Sequence, residues 1–146
     1  MPNVNTIAEA RDVLCGFVQT VWDASADGAP LLYDNIGGER PEELGVFGRV
    51  VVRHFQGEIA ALGNTRHRAF GILFVQLFTP EGAGTGDLDA ISDALIKALV
   101  SAAPGDLQGI RLRNISSTEL GIDPSDRQYH QVNVSAEFSY DTFTAV

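Results

Sequence analysis

Apolar residues recur every third or fourth position near the start of the chain. Ile7, Ala10, Leu14, Phe17, Val18 and Val21 fall on one face of a turn of 3.6 residues, which predicts an amphipathic helix. Thr6-Ile7-Ala8-Glu9 in front of it has the form of a capping box, a hydroxyl and a carboxylate satisfying two orphan amides. Gly28-Ala29-Pro30 ends the helix after fraying around Ser25, and residues 34–48, with Gly37, Gly38, Pro41 and Gly45 among acids, read as a long exposed loop. The period then drops to two. Arg49-Val50-Val51-Val52-Arg53-His54-Phe55 is a β-branched strand, and Gly57 and Gly63-Asn64 bracket its connection to the next run.

That next run, residues 70–78, is apolar on both alternating faces, which marks a central strand covered on both sides, by its own helices or by a neighbouring subunit. Thr79-Pro80 stops it. Leu88, Ile91, Leu95 and Leu99 predict a second helix from near Asp87, ended by Pro104-Gly105. Residues 110–115 form a less regular strand. In the last strand Val132, Val134, Ala136, Phe138 and Tyr140 alternate with polar neighbours, so one face is buried and one is wet. The order helix, two strands, helix, two strands predicts a single α+β domain over residues 1–146, with two helices on a mixed or antiparallel sheet of about four to five strands.

Composition narrows the class. In 146 residues there are 10 Lys+Arg against 19 Asp+Glu, a net charge of −9, and a chain so acidic repels a phosphate backbone. One cysteine, Cys15, excludes an internal disulfide framework and a CxxC zinc site. The N-terminus has no basic and apolar run of the secretory kind, and no apolar stretch approaches the roughly 20 residues that span a bilayer. A soluble chain made inside the cell, with no membrane partner, is the expectation.

Candidate chemistry is sparse. Gly82-Ala83-Gly84-Thr85-Gly86-Asp87 follows a strand and opens a helix, but Asp87 stands where the dinucleotide fingerprint needs glycine, and no Gly-Lys-Ser/Thr ending makes a P-loop. A flexible turn with Asp87 capping the helix is the simpler reading. His54, His67 and His130 share no metal-ligand spacing and read as surface or strand-edge residues. Cys15 reads as a small buried hydrophobe beside the apolar stripe. The acid pairs Asp87/Asp89 and Asp123/Asp126 are a helix start and a proline turn, without the spacing of a calcium loop. No catalytic set, cofactor or metal site is expected. One charge feature stands out: Arg49, Arg53, Arg66 and Arg68 fall on two adjacent strands of an acidic protein. They are either a solvated face neutralised by nearby carboxylates or a strip that docks an acidic surface, such as the acid-rich loop of a neighbouring copy. With Phe74 on the central strand, they are the candidate interface residues.

The run Arg68-x-x-Gly71-x-Leu73-x-Val75-x-x-Phe78-x-Pro80-x-Gly82-x-Gly84, followed by a helix carrying Asp93, resembles the tail terminator-like proteins of long-tailed bacteriophages. So do the closing Tyr129-x-Gln131-Val132-Asn133-Val134 … Phe138-x-Tyr140-Asp141 and the N-terminal helix leading to Tyr33-Asp34-Asn35. Residues 36–48 depart from that family's pattern. The resemblance implies a non-enzymatic virion subunit at the head-proximal end of the tail, assembled in the host cytoplasm. Six copies would form a ring on the tail tube, ending its polymerisation and giving the head-side neck or connector protein a docking surface, with DNA only passing through the lumen. Another neck, completion or tail-tube subunit, or a small enzyme using Cys15 or His130 with an acid, are the alternatives.

Overall fold

A computed structural model describes residues 3–26, 28–33, 45–61, 66–84, 86–103, 105–122 and 128–143, with the side chains of 56–61 also outside the description. Outside it, too, fall most of the acid-rich segment 34–48, Asp123 and Asp126, and Gly63-Asn64 between the two runs. The elements run α1 (Ile7–Ser25), β1 (Leu31–Tyr33), β2 (Phe47–Ala61), β3 (Arg66–Pro80), α2 (Gly86–Ser101), β4 (Arg111–Ile122) and β5 (Tyr129–Phe143). The fold is α+β. Its one mixed sheet has the order β1-β2-β3-β5-β4, in which β1 lies parallel to β2 and the other pairs are antiparallel.

Both helices pack on one side of the sheet. Leu14, Val18 and Trp22 of α1 and Leu88, Ile91, Leu95 and Leu99 of α2 bury their stripes against Val50, Val52, Leu73, Val75, Leu77, Val132, Val134, Ala136, Phe138 and Tyr140. β3 is central, as its two apolar faces require, but the helices cover only one of those faces. Two glycines allow close approach, one between helix and sheet and one within the sheet. A Cβ on Gly48 would strike the Trp22 ring, and one on Gly71 would strike the Phe138 ring and the Arg53 carbonyl oxygen.

Local signals hold with small differences. Thr6 Oγ1 accepts from Glu9 N–H at 3.1 Å, while the Glu9 carboxylate reaches Asn5 N–H at 3.2 Å, one residue before the N-cap. The helix α2 begins at Gly86, so Asp87 lies within its first turn beside Asp89, where both carboxylates favour the positive end of the helix dipole. Gly82 and Gly84 hold φ of +87° and +83°, a backbone reason for glycine there that owes nothing to phosphate. The strands extend beyond the apolar runs, because antiparallel neighbours supply partners for polar ends as well.

Candidate functional site

Register decides which side chains share the second face of the sheet. Opposite pairs Arg49–Gln76, Val51–Phe74, Arg53–Ile72 and Phe55–Phe70 join β2 to β3, and Phe74–Ser135, Ile72–Glu137 and Arg68–Asp141 join β3 to β5. Arg111 and Arg113 of β4 stand opposite Ser139 and Glu137. All four arginines of the expected strip, and Phe74, therefore lie on one face. The topology adds Arg111 and Arg113, distant in sequence from the others.

The centre of this face is an apolar row, Phe70, Ile72 and Phe74, each half-buried among its sheet neighbours with no described helix above it. Phe55 and Phe143 stand more exposed, at 58% and 60%. One end is closed: Phe47 stacks on Phe78 with ring centres 4.6 Å apart, Tyr129 meets Phe47 edge-on at 5.1 Å, and all three are buried.

The other end gathers charge around Asp141, whose side chain is only 12% exposed. Arg68 Nε donates to Oδ1 at 2.9 Å, Arg66 Nε donates to Oδ2 at 2.9 Å and its Nη2 also bonds Oδ2, and Arg111 Nη2 lies 3.5 Å from Oδ2. The Arg68 hydrogen bond, partly opposed by burial and reinforced by Arg66, lowers the Asp141 carboxyl to about 2. Arg66 and Arg68 are thus held within the chain by a carboxylate the strip reading did not name. Nearby, Arg113 Nε meets the Glu137 carboxylate at 3.2 Å, and its guanidinium lies 5.9 Å from the Phe70 ring centre, in cation–π range. A shallow groove of about 280 Å³ runs beside this cluster, with Val4, Arg111, Tyr140 and Asp141 among its walls.

The candidates for chemistry do not converge. His54 is on the helix side, where alternation with Val50 and Val52 puts it, and not on the surface as expected. Its Nε2 lies 2.7 Å from the Tyr140 hydroxyl and its ring meets Phe138 edge-on; burial, then the Arg11 charge, lowers its pKa. His67 is exposed near the start of β3, and His130 stands opposite Thr79 on β5, far along the sheet from Gly71, the partner of His54. Cys15 is half-buried on α1, and burial followed by the Asp12 charge pushes its thiol up, away from an activated thiolate. Among the described residues no three His, Cys, Asp or Glu side chains gather into a metal site. No described helix is long and apolar enough to cross a membrane.

No family model matches the chain, and no curated protein does. Chains of solved structures do match. One aligns over 92% of this chain and 98% of its own, with a TM-score of 0.57 and 20% identity, a likeness that shows a shared fold.

Proposed function

We propose that this chain is a structural subunit of a long-tailed phage, a tail terminator-like protein that caps the tail tube as a ring. The observation that carries the reading is the second sheet face. Its centre is apolar on a strand that is apolar on both sides, and both helices lie on the opposite side. A face of that kind is built to be covered by another protein surface. The motif resemblance gives that covering a place, between the tube and the head-side neck protein.

A growing tube exposes a ring of unpaired subunit surface, and growth stops when a cap matches that surface without offering it again. A ring with two different faces does this, one face toward the tube and the other toward the neck. Its net negative charge suits a lumen through which DNA slides without sticking. The test is phage assembly without this protein. Tails of irregular, often excessive length that fail to join filled heads are expected, and purified protein added to completed tubes restores joining. Normal, head-joined tails in its absence overturn the assignment.

A further inference from the structure

Among the described residues, the two sides of the sheet carry opposite charge. Among the described residues, the sheet face opposite the helices holds six arginines (Arg49, Arg53, Arg66, Arg68, Arg111, Arg113) against three carboxylates, Glu137, Asp141 and, by its register position opposite Arg68, Glu58. That is a formal surplus of three positive charges among the described residues of one face, in a chain whose total is −9. On the other side, the two helices hold among their described residues Glu9, Asp12, Asp23, Asp87, Asp89 and Asp93 against Arg11 and Lys97, a formal surplus of four negative charges.

We infer that copies of this chain associate front to back, the arginine-bearing sheet face of one seated on the acidic helix layer of the next. The inference rests on the ring reading above and names the surfaces that would form it. Two identical sheet faces brought together would oppose like charge, which disfavours a two-fold contact; front to back, each surplus meets its opposite. Such a heterologous contact repeats around a ring when the rotation between copies closes.

The size is adequate. From Arg49 to the Asp141 cluster the face runs about eleven residues along β3 and four strands across, roughly 36 by 19 Å or about 700 Å². A standard interface buries about 800 Å² per partner. The apolar row of Phe70, Ile72 and Phe74 supplies a dry centre ringed by arginines, the arrangement of a stable contact. On the helix layer, Val100 stands 66% exposed among the polar residues of the outer surface of α2.

Two charge-reversed full-length proteins test the pairing: Arg53→Glu with Arg113→Glu on the sheet face, and Asp12→Arg with Asp93→Arg on the helices. Sedimentation is measured over a wide concentration range, free and with isolated tube ends, and circular dichroism checks that each variant folds. The unsubstituted chain should associate, and less so as salt rises. Each variant alone should associate at least about tenfold more weakly, a loss of about 1.4 kcal/mol. An equal mixture of the two should restore association, because each altered face then meets its altered complement. Loss without restoration overturns the helix layer as the occupant. Variants that associate like the parent overturn both surfaces while leaving the ring reading in place. A parent chain that stays at 15.7 kDa even on tube ends defeats the ring and the pairing together. Association indifferent to salt, or a sheet face that binds a DNA oligonucleotide while copies stay apart, also overturns the inference.

Discussion

Asp141→Asn keeps the shape of the side chain at which three guanidinium groups meet and removes its charge. The carboxyl titrates at about 2, against 3.8 for the unperturbed group. A gap of about two pH units at about 1.4 kcal/mol each amounts to about 2–3 kcal/mol before screening. Arg66, Arg68 and Arg111 are 36%, 33% and 49% exposed, so water screens much of that attraction. About 1–2 kcal/mol is the expected loss at neutral pH. In a chain of this length that lowers the melting temperature by about 2–8 °C.

The pH dependence is specific to this cause. The folded pKa lies below the unfolded one, so the stabilisation is fully present above about 3.8 and is lost as pH falls through about 2. Urea unfolding can be followed by the fluorescence of Trp22, the one tryptophan, which is buried and moves into water on unfolding. The parent and the variant should differ most at neutral pH and converge toward pH 2. A difference below about 0.5 kcal/mol at neutral pH, or one that persists unchanged on acidification, would refute the argument.

Two further outcomes follow from the helix side of the sheet. Gly71→Ala should cost about 3 kcal/mol or more, because its Cβ would meet the Arg53 carbonyl, which belongs to the β2 backbone and cannot rotate away; near-parental thermal stability would count against the close approach. His54 has its folded pKa below the unfolded value of 6.5, so its contribution to stability is complete above 6.5 and declines as pH falls toward the folded value. His54→Gln should flatten the fall in stability that begins below about pH 6.5, and an unchanged profile in parallel urea titrations would remove His54 as its cause.

Much of this was legible along the chain, and the losses have physical causes. The two helices and the centres of four strands carry their own periodicity, so they were visible locally. β1 was not, because Leu31-Leu32-Tyr33 has no pattern long enough to read and exists through its pairing with β2. The cluster at Asp141 was only half visible. Alternation along β5 places Asp141 on the polar face, but only register shows that it sits opposite Arg68 with Arg111 across from its neighbour Ser139. Arg111 and Arg113 join the basic face through topology, which spacing in sequence does not encode. His54 is a different case: the alternation Val50, Val52, His54 already pointed it toward the helices.

The irregularities of the outer strands bear on how copies avoid one another. β4 departs from its register with β5 twice, between Arg113 and Ser116 and between Glu119 and Gly121, with Asn114 and Gly121 at φ of +53° and +77°. β2 likewise shifts against β3 twice beyond Phe55, and the Val52 carbonyl on it is occupied by Arg11 Nη1 at 2.9 Å. A straight border strand invites a second chain to add its own backbone, the route to runaway cross-β growth. Borders twisted and interrupted in this way make a poor template for it. Under the proposed capping role, those breaks help a chain that ends a polymer not to become one itself.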